Sequence, residues 1–226
     1  MNCYFQGCDC PGTTKEHIPP RCFFPRGKRD QLWTVRSCDS HNSAKSKDDM
    51  YALAHVLLSV SSDDGEAREI FRGSVEPQLS FGGDALRKLL LSGAVRRDDG
   101  SVAYVVDSTR LDSFFTALSC GIVYKTFGTS LPRHYSAGHI YHNLQGEAHD
   151  VRSQLMSKIA EAYRGPKLES IRFGTPTLRN SSVYRCDVFG LDRFRSSLTI
   201  CHLFYETFHV TSMLSRDGYP DPAHAA

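Results

Sequence analysis

Two short segments near the N-terminus contain the residue types that bind metal ions and move protons. In the first, the carboxylate of Glu16 stands beside the imidazole of His17. In the second, a thiol, an imidazole and an amide follow within five positions: Cys38, His41 and Asn42. Thiolates and imidazoles are the ligands of structural zinc, whereas carboxylate and amide oxygens suit Mg²⁺. The two segments therefore predict two different metal sites, provided that the fold brings them together.

The softer ligands favour a structural Zn²⁺ bound by four residues: Cys3, Cys8, Cys38 and His41. Such sites usually take two ligand pairs, each on a tight turn, and Cys38 with His41 forms one pair with C-x2-H spacing. Cys8 is favoured in the other pair because Gly7 lets the chain reverse before it. Cys10 remains the alternative, since it too lies in a turn. Zinc binding of about 10 kcal/mol would stabilise a proline-rich segment whose own core is small.

The harder ligands predict a second site for Mg²⁺ or Mn²⁺. Glu16 and Asn42 can each give one oxygen to the ion, and Asp49 and Lys45 share a helix face with Asn42. Asp49 could complete the shell of the ion, and Lys45 could contact a phosphate. His17, neutral near pH 7, could take a proton from an attacking water while the ion stabilises charge on the scissile phosphate. The expected chemistry is hydrolysis of a phosphodiester.

At these residues the chain resembles the HNH endonuclease superfamily. Its members carry an (Asp/Glu/His)-His-x-x-Pro segment and a C-x2-C-(His/Asn) segment, matched here by residues 16–20 and 38–42. The resemblance covers roughly residues 1–60 and implies a small zinc-stapled ββα-metal (treble-clef) module. It implies that Glu16 and Asn42 bind the catalytic ion, that His17 is the general base, and that the zinc set is Cys3, Cys8, Cys38 and His41. Thr34 is the polar residue nearest to the family's middle Asn, and His41 replaces the commoner fourth Cys.

The charge of the N-terminal region indicates a polyanionic partner. Residues 11–36 carry six basic side chains against two acidic ones, a local excess of four positive charges. We expect nucleic acid as the partner, with DNA favoured over RNA. The expected contact residues are Lys15, Arg21, Lys28, Arg29 and Lys45.

The composition predicts an ordinary cytoplasmic protein. The 226 residues are 40% hydrophobic and 23% charged, without an apolar run of about 18 residues or an N-terminal hydrophobic signal region. We therefore expect no membrane association. Five of the eight cysteines fall in the first 38 residues, which favours thiolate ligands over disulfides in a reducing compartment.

The hydrophobic pattern predicts an α+β chain with the nuclease-like module in residues 1–62 and a larger α+β domain in residues 63–226. Helices are expected from near residues 40–43 to about 60, and over 65–72, 84–91, 107–127 and 151–163. A hairpin is expected over 96–106, and strands over 32–36, 168–173, 182–189, 196–204 and 208–214. The second domain thus combines amphipathic helices with a C-terminal antiparallel sheet, and we expect it to supply recognition, oligomerisation or regulation.

Four histidines of the second domain fall in a segment that we interpret as a glycine-containing loop: His134, His139, His142 and His149. Unconstrained histidines of this kind are more often exposed or hydrogen-bonded than metal-bound.

The leading functional hypothesis is a divalent-metal-dependent HNH endonuclease. An extension of this hypothesis is that the nuclease acts as an effector of bacterial defence. The alternative is a zinc-stapled nucleic-acid-binding or interaction module whose nuclease site has decayed.

Overall fold

The computed structural model describes residues 1–29, 32–60, 64–100, 102–144, 180–190, 194 and 197–216. Within these ranges the chain is α+β, as predicted. The helices are α1 (Asp39–Ala44), α2 (Ser46–Leu58), α3 (Gly65–Ile70), α4 (Glu76–Leu79), α5 (Ala85–Leu90) and α6 (Ser108–Phe127). The strands are β1 (Thr14–Ile18), β2 (Trp33–Ser37), β3 (Val95–Arg96), β4 (Val102–Ala103), β5 (Tyr135–Tyr141), β6 (Tyr184–Phe189), β7 (Leu198–Phe204) and β8 (Phe208–Arg216).

The N-terminal region is a two-stranded antiparallel hairpin followed by two helices. In the register of β1 with β2, Glu16 lies opposite Val35 and His17 lies opposite Thr34. Because side chains alternate along a strand, Glu16, Ile18 and Val35 are buried on the inner face, and Thr34 is exposed on the outer face. The helix predicted from near residues 40–43 to about 60 is present as two segments, α1 and α2, which meet at Lys45.

Helix α6 is the central element of the fold. Its predicted span of 107–127 is confirmed, and it ends at Gly128, whose φ of 72° is the left-handed conformation that glycine adopts readily. It is buried on more than one face, because it packs against the hairpin, α2 and the C-terminal sheet. At Gly121 the contact with β1 is so close that an added Cβ would lie 2.5 Å from Ile18 Cδ1. The strand that carries Glu16 and His17 therefore rests directly on α6.

The C-terminal sheet has the strand order β5-β8-β7-β6, and every neighbouring pair is antiparallel, as predicted. The strands expected over 182–189, 196–204 and 208–214 correspond to β6, β7 and β8. The expectation of a loop around His134, His139 and His142 was wrong for its middle part, since β5 pairs with β8 over seven residue pairs. The strand signal was weak because the buried residues of β5 do not alternate regularly, and Gly138 interrupts them.

Between the hairpin and α6 lie short elements. The helices expected over 65–72 and 84–91 correspond to α3 and α5, and the hairpin expected over 96–106 is present as β3 and β4, two residues each. A π-helical turn (Phe71–Val75) and α4 extend α3, and the sequence pattern did not predict them. The expected helix at 151–163, the expected strand at 168–173 and His149 lie outside the described residues.

The described elements share one hydrophobic core that includes side chains from Cys3 to Leu214. Polar contacts also join the N-terminal region to later segments: the Tyr205 hydroxyl donates to the carbonyl of Phe23 (2.6 Å), and Lys28 forms an ion pair with Glu66. The division into residues 1–62 and 63–226 stays a prediction, and residues 61–63 lie outside the described part.

Candidate functional site

The structure brings together the four softer ligands that the sequence predicted. The ligand atoms of Cys3, Cys8, Cys38 and His41 all lie within 4.8 Å of one another. Cys38 Sγ lies 3.1 Å from His41 Nδ1 and 3.9 Å from Cys8 Sγ, and Cys3 Sγ lies 3.6 Å from His41 Nδ1. The exposed Cys10 is not part of this group. Among the described residues, Cys8 is therefore the partner of Cys3 that the fold selects.

Two of the three shortest distances between these atoms are those expected for ligands of a tetrahedral zinc ion. Ligand bonds of about 2.3 Å to sulfur and about 2.05 Å to nitrogen give tetrahedral edges of roughly 3.8 Å between sulfurs and roughly 3.6 Å between sulfur and nitrogen. The Cys8–Cys38 and Cys3–His41 distances match these edges, and the Cys38–His41 distance is somewhat shorter. The donor set of three thiols and one imidazole is also typical of structural zinc. The cluster could therefore bind a metal such as zinc.

Local structure explains how each ligand reaches the cluster. The turn before Cys8 contains Gly7 in the left-handed conformation (φ 68°), and Cys8 N–H donates to the carbonyl of Phe5 (3.2 Å). Cys38 is the residue that precedes α1, and His41 lies in the first turn of that helix. The ring of Phe5 stacks on His41 at 4.3 Å between centroids. The knuckle, which is the turn over residues 3–8, and the start of α1 thus supply two ligands each.

The electrostatic environment differs between the thiols. Hydrogen bonding from the Ser40 hydroxyl, aided by the backbone N–H of His41, lowers the pKa of Cys38 to about 6. Burial raises the pKa of Cys3. A bound cation would favour the thiolate at both positions, because coordination stabilises the deprotonated form.

The knuckle is anchored to the segment before β5. The Gln6 amide donates to the carbonyl of Pro132 (2.7 Å), and the Ser130 hydroxyl donates to the carbonyl of Cys3 (3.3 Å). Arg133 forms an ion pair with Asp9. These contacts therefore link the Cys/His cluster to the segment that leads into the C-terminal sheet.

Glu16 and His17 occupy opposite faces of β1. His17 is half-buried on the outer face, and Thr34 lies directly across the hairpin from it. Thr34 is the polar residue that the sequence analysis named in place of the middle Asn of the HNH superfamily. Burial, followed by the positive charge of Arg21, lowers the pKa of His17, against an opposing effect of Glu16. The imidazole is thus favoured in the neutral form that can accept a proton.

On the inner face, Glu16 meets the start of α2. Its Oε1 pairs with the Lys45 ammonium, which also lies 3.7 Å from Asp49 Oδ1. The Glu16 and Lys45 side chains are only 7% and 8% exposed, so this ion pair is shielded from water. Burial, with the nearby charge of Glu16, outweighs the effect of Lys45 and raises the pKa of Asp49 to about 7. The structure therefore brings Glu16 and Asp49 to one buried site.

Three side-chain oxygens at this site lack a well-formed hydrogen bond: Tyr4 Oη, Glu16 Oε2 and Asp49 Oδ1. Burial, and next the charge of Glu16, raises the pKa of Tyr4, which places this hydroxyl in the field of the carboxylate. Carboxylate oxygens are the ligands that a hard divalent ion takes, so the residues present fit such an ion. Asn42, the other predicted ligand, is half-buried on α1.

The predicted nucleic-acid contacts fall into two groups. Lys15 and Arg21 are exposed near His17. Lys28 pairs with Glu66, Arg29 Nε donates to the carbonyl of Phe24 (2.9 Å), and Lys45 is buried against Glu16. These last three side chains are engaged within the protein.

Sequence reasoning missed two residues near β1. Arg36 is exposed directly across the hairpin from Lys15, and the hairpin register was the signal that could have found it. Tyr4 was missed because a tyrosine beside a cysteine carries no motif of its own.

The histidines of the second region do not form a metal cluster within the described residues. His139 is buried, and its two ring nitrogens form hydrogen bonds with the hydroxyls of Thr116 (2.9 Å) and Ser212 (2.8 Å). His202 is also buried, and its ring nitrogens form hydrogen bonds with the same Ser212 hydroxyl (2.9 Å) and with the Tyr184 hydroxyl (2.9 Å). This hydrogen-bonded network satisfies polar groups between α6 and the sheet.

No protein-family model, curated protein or solved structure matched the chain in the three comparisons made. Among the helices of the described ranges, none combines the length and apolar character needed to cross a membrane.

Proposed function

We propose that this protein is a divalent-metal-dependent nuclease of the HNH type that hydrolyses phosphodiester bonds, with DNA favoured over RNA. The observation that carries the proposal is the meeting of Glu16, on β1, with the start of α2 at a buried carboxylate site, while His17 follows on the same strand. A hairpin, a following helix and a Cys/His cluster that joins the knuckle to the helix start are the parts of a treble-clef, or ββα-metal, module. Their combination supports the assignment.

Glu16, Asn42 and Asp49 would hold Mg²⁺ or Mn²⁺. When bound, the ion would supply charge stabilisation at the scissile phosphate and the leaving oxygen. His17 would accept the proton of the attacking water, since its lowered pKa favours the neutral ring. Thr34, across the hairpin, is the polar group in a position to orient that ring.

The outer face of the hairpin would contact the phosphate backbone. Lys15 and Arg36 are cross-strand neighbours, and Arg21 acts electrostatically on His17. Two basic side chains on the strand face that carries His17, together with Arg21, favour a polyanion, whose counterions they would release.

The test is a plasmid cleavage assay with Mg²⁺ or Mn²⁺. We expect nicking by the wild type and loss of at least a hundredfold in rate for His17→Ala, which removes the proton acceptor. The matched control is His134→Ala, since His134 is exposed in the turn before β5 and should leave the rate unchanged. Cleavage retained by His17→Ala would refute the proposed role of that residue.

A specific observation favours a second candidate function, a zinc-stapled nucleic-acid-binding module whose nuclease site has decayed. Glu16 and His17 point to opposite faces of β1, and Lys45 already neutralises Glu16. DNA binding with no cleavage under any divalent ion would support this alternative. Toxicity on expression that His17→Ala relieves would instead support an active nuclease in an effector role.

A further inference from the structure

Buried polar atoms without a well-formed hydrogen bond concentrate around Glu16 and its partner Lys45. Of the five such side-chain atoms in the described part of the chain, three belong to this site: Tyr4 Oη, Glu16 Oε2 and Asp49 Oδ1. Buried polar atoms nearly always have a partner, so a cluster of such exceptions marks a place where a polar or charged ligand would be stabilised. Tyr4 is fully buried and Glu16 nearly so, which means that bulk solvent does not satisfy them.

The charges at the site do not balance. One ammonium group, that of Lys45, serves two carboxylates, those of Glu16 and Asp49. Buried charges are costly unless they are paired, and a single positive charge leaves one carboxylate incompletely compensated. A divalent ion would balance both carboxylates, whereas an ammonium group balances one.

Lys45 and a divalent ion would compete for the same oxygens. The ammonium contacts Glu16 Oε1 directly and faces Asp49 Oδ1 at 3.7 Å, so it occupies the space between the two carboxylates. Lysine is a flexible point charge on a four-carbon stem, and it can swing away without a change in the backbone. The backbone at Lys45 is the junction between α1 and α2, where one helix ends and the next begins.

We propose that Lys45 is a built-in counter-ion that closes the Glu16–Asp49 site, and that a divalent ion binds there by displacing it. This inference rests on the proposed function, because it concerns the same ion site. The displaced ammonium becomes free to contact a phosphate, so a polyanion that holds it should strengthen ion binding. By thermodynamic reciprocity, the ion should strengthen polyanion binding by the same factor.

The test measures binding of Mn²⁺ to the purified full chain by electron paramagnetic resonance of the free ion. Lys45→Met removes the competing charge and should lower the Kd for Mn²⁺ by tenfold or more. Lys47→Met is the matched control, since Lys47 is exposed two positions further along α2 and should leave the Kd unchanged. Glu16→Gln should abolish the binding that Lys45→Met strengthens, which assigns the ion to this site.

A second variant, Lys45→Gln, keeps the test decisive if Lys45→Met does not fold. Lys45→Gln keeps a hydrogen-bond donor for Glu16 while removing the charge, and it should also tighten Mn²⁺ binding. The rise in Tm on adding Mn²⁺ should be larger for both Lys45 variants than for the wild type, because only the ion then neutralises the carboxylates.

The outcomes separate the two proposals. Equal Mn²⁺ affinity in the wild type, Lys45→Met and Lys45→Gln would overturn the role of Lys45 and leave the ion site standing. Absence of Glu16-dependent Mn²⁺ binding in all of them would overturn the proposed nuclease site together with this inference.

Discussion

Replacing Cys38 by serine tests the Cys/His cluster most directly. Cys38 Sγ lies near both Cys8 Sγ and His41 Nδ1, and it is the first cluster residue at the start of α1. Serine is a poor zinc ligand, so we expect the wild type to contain one zinc ion per chain and Cys38→Ser to contain none. The matched control is Cys10→Ser, because Cys10 is exposed, close in sequence and outside the cluster.

The expected loss of stability is large. Structural zinc contributes about 10–16 kcal/mol of apparent binding free energy, comparable with the whole stability of a typical domain. Even if only about 5 kcal/mol of this is lost, the Tm should fall by roughly 10–20 °C for a chain of this length. The anchoring of the knuckle by Gln6 and Ser130 should transmit part of this loss to the segment before β5.

Metal analysis by mass spectrometry and thermal melts with and without a chelator check this prediction. The reasoning would be refuted if Cys38→Ser kept one zinc ion per chain and melted within a few degrees of the wild type. Equal zinc loss in Cys10→Ser would show that the ligand set is wrong, even if the chain does bind zinc.

Two further predictions concern the packing around the site. Burial lowers the pKa of His55 to about 4, so between pH 4 and 6.5 the unfolded chain binds more protons than the folded chain, and stability falls as the pH falls through this window. In His55→Phe, the fall in the free energy of unfolding between pH 7 and pH 5 should be about 2 kcal/mol smaller than in the wild type, as measured by urea unfolding. Replacement of the exposed His134 by Phe should leave that fall unchanged. Gly121→Ala should lower the free energy of unfolding by about 1–2 kcal/mol, because its Cβ would meet the buried Ile18 side chain at 2.5 Å. Gly73→Ala, which meets no atom within 4 Å, should not destabilise the chain, and adding Ile18→Val to Gly121→Ala should recover part of the loss; an equal effect of the two alanines would contradict this packing.

The sequence predicted those features that local chemistry determines. The zinc-type cluster followed from residue types and turn positions, and α6 followed from a long amphipathic pattern bounded by Asp107 and Gly128. Strand β5 was not predicted because its identity depends on pairing with β8, about 70 to 80 positions further along the chain. The burial of Lys45 was not predicted for a similar reason. Its i,i+4 relation to Asp49 is visible in the sequence, but its contact with Glu16 depends on how β1 packs against α2.

The same buried charges bear on the choice between an active and a decayed site. A binding module has no need of Glu16, Lys45 and Asp49 in its interior, because well-packed apolar side chains of similar volume would stabilise it equally well or better. Here these groups are retained in the interior together with polar atoms that lack a well-formed hydrogen bond, among them Tyr4 Oη. An arrangement that costs stability and leaves carboxylate oxygens with incomplete hydrogen bonding suits the exchangeable ion site proposed above. Tyr4, whose hydroxyl lies in the field of Glu16, directly follows the cluster residue Cys3 in the sequence. If the cluster binds zinc and the Glu16–Asp49 site binds a divalent ion, loss of the zinc should weaken binding of that ion.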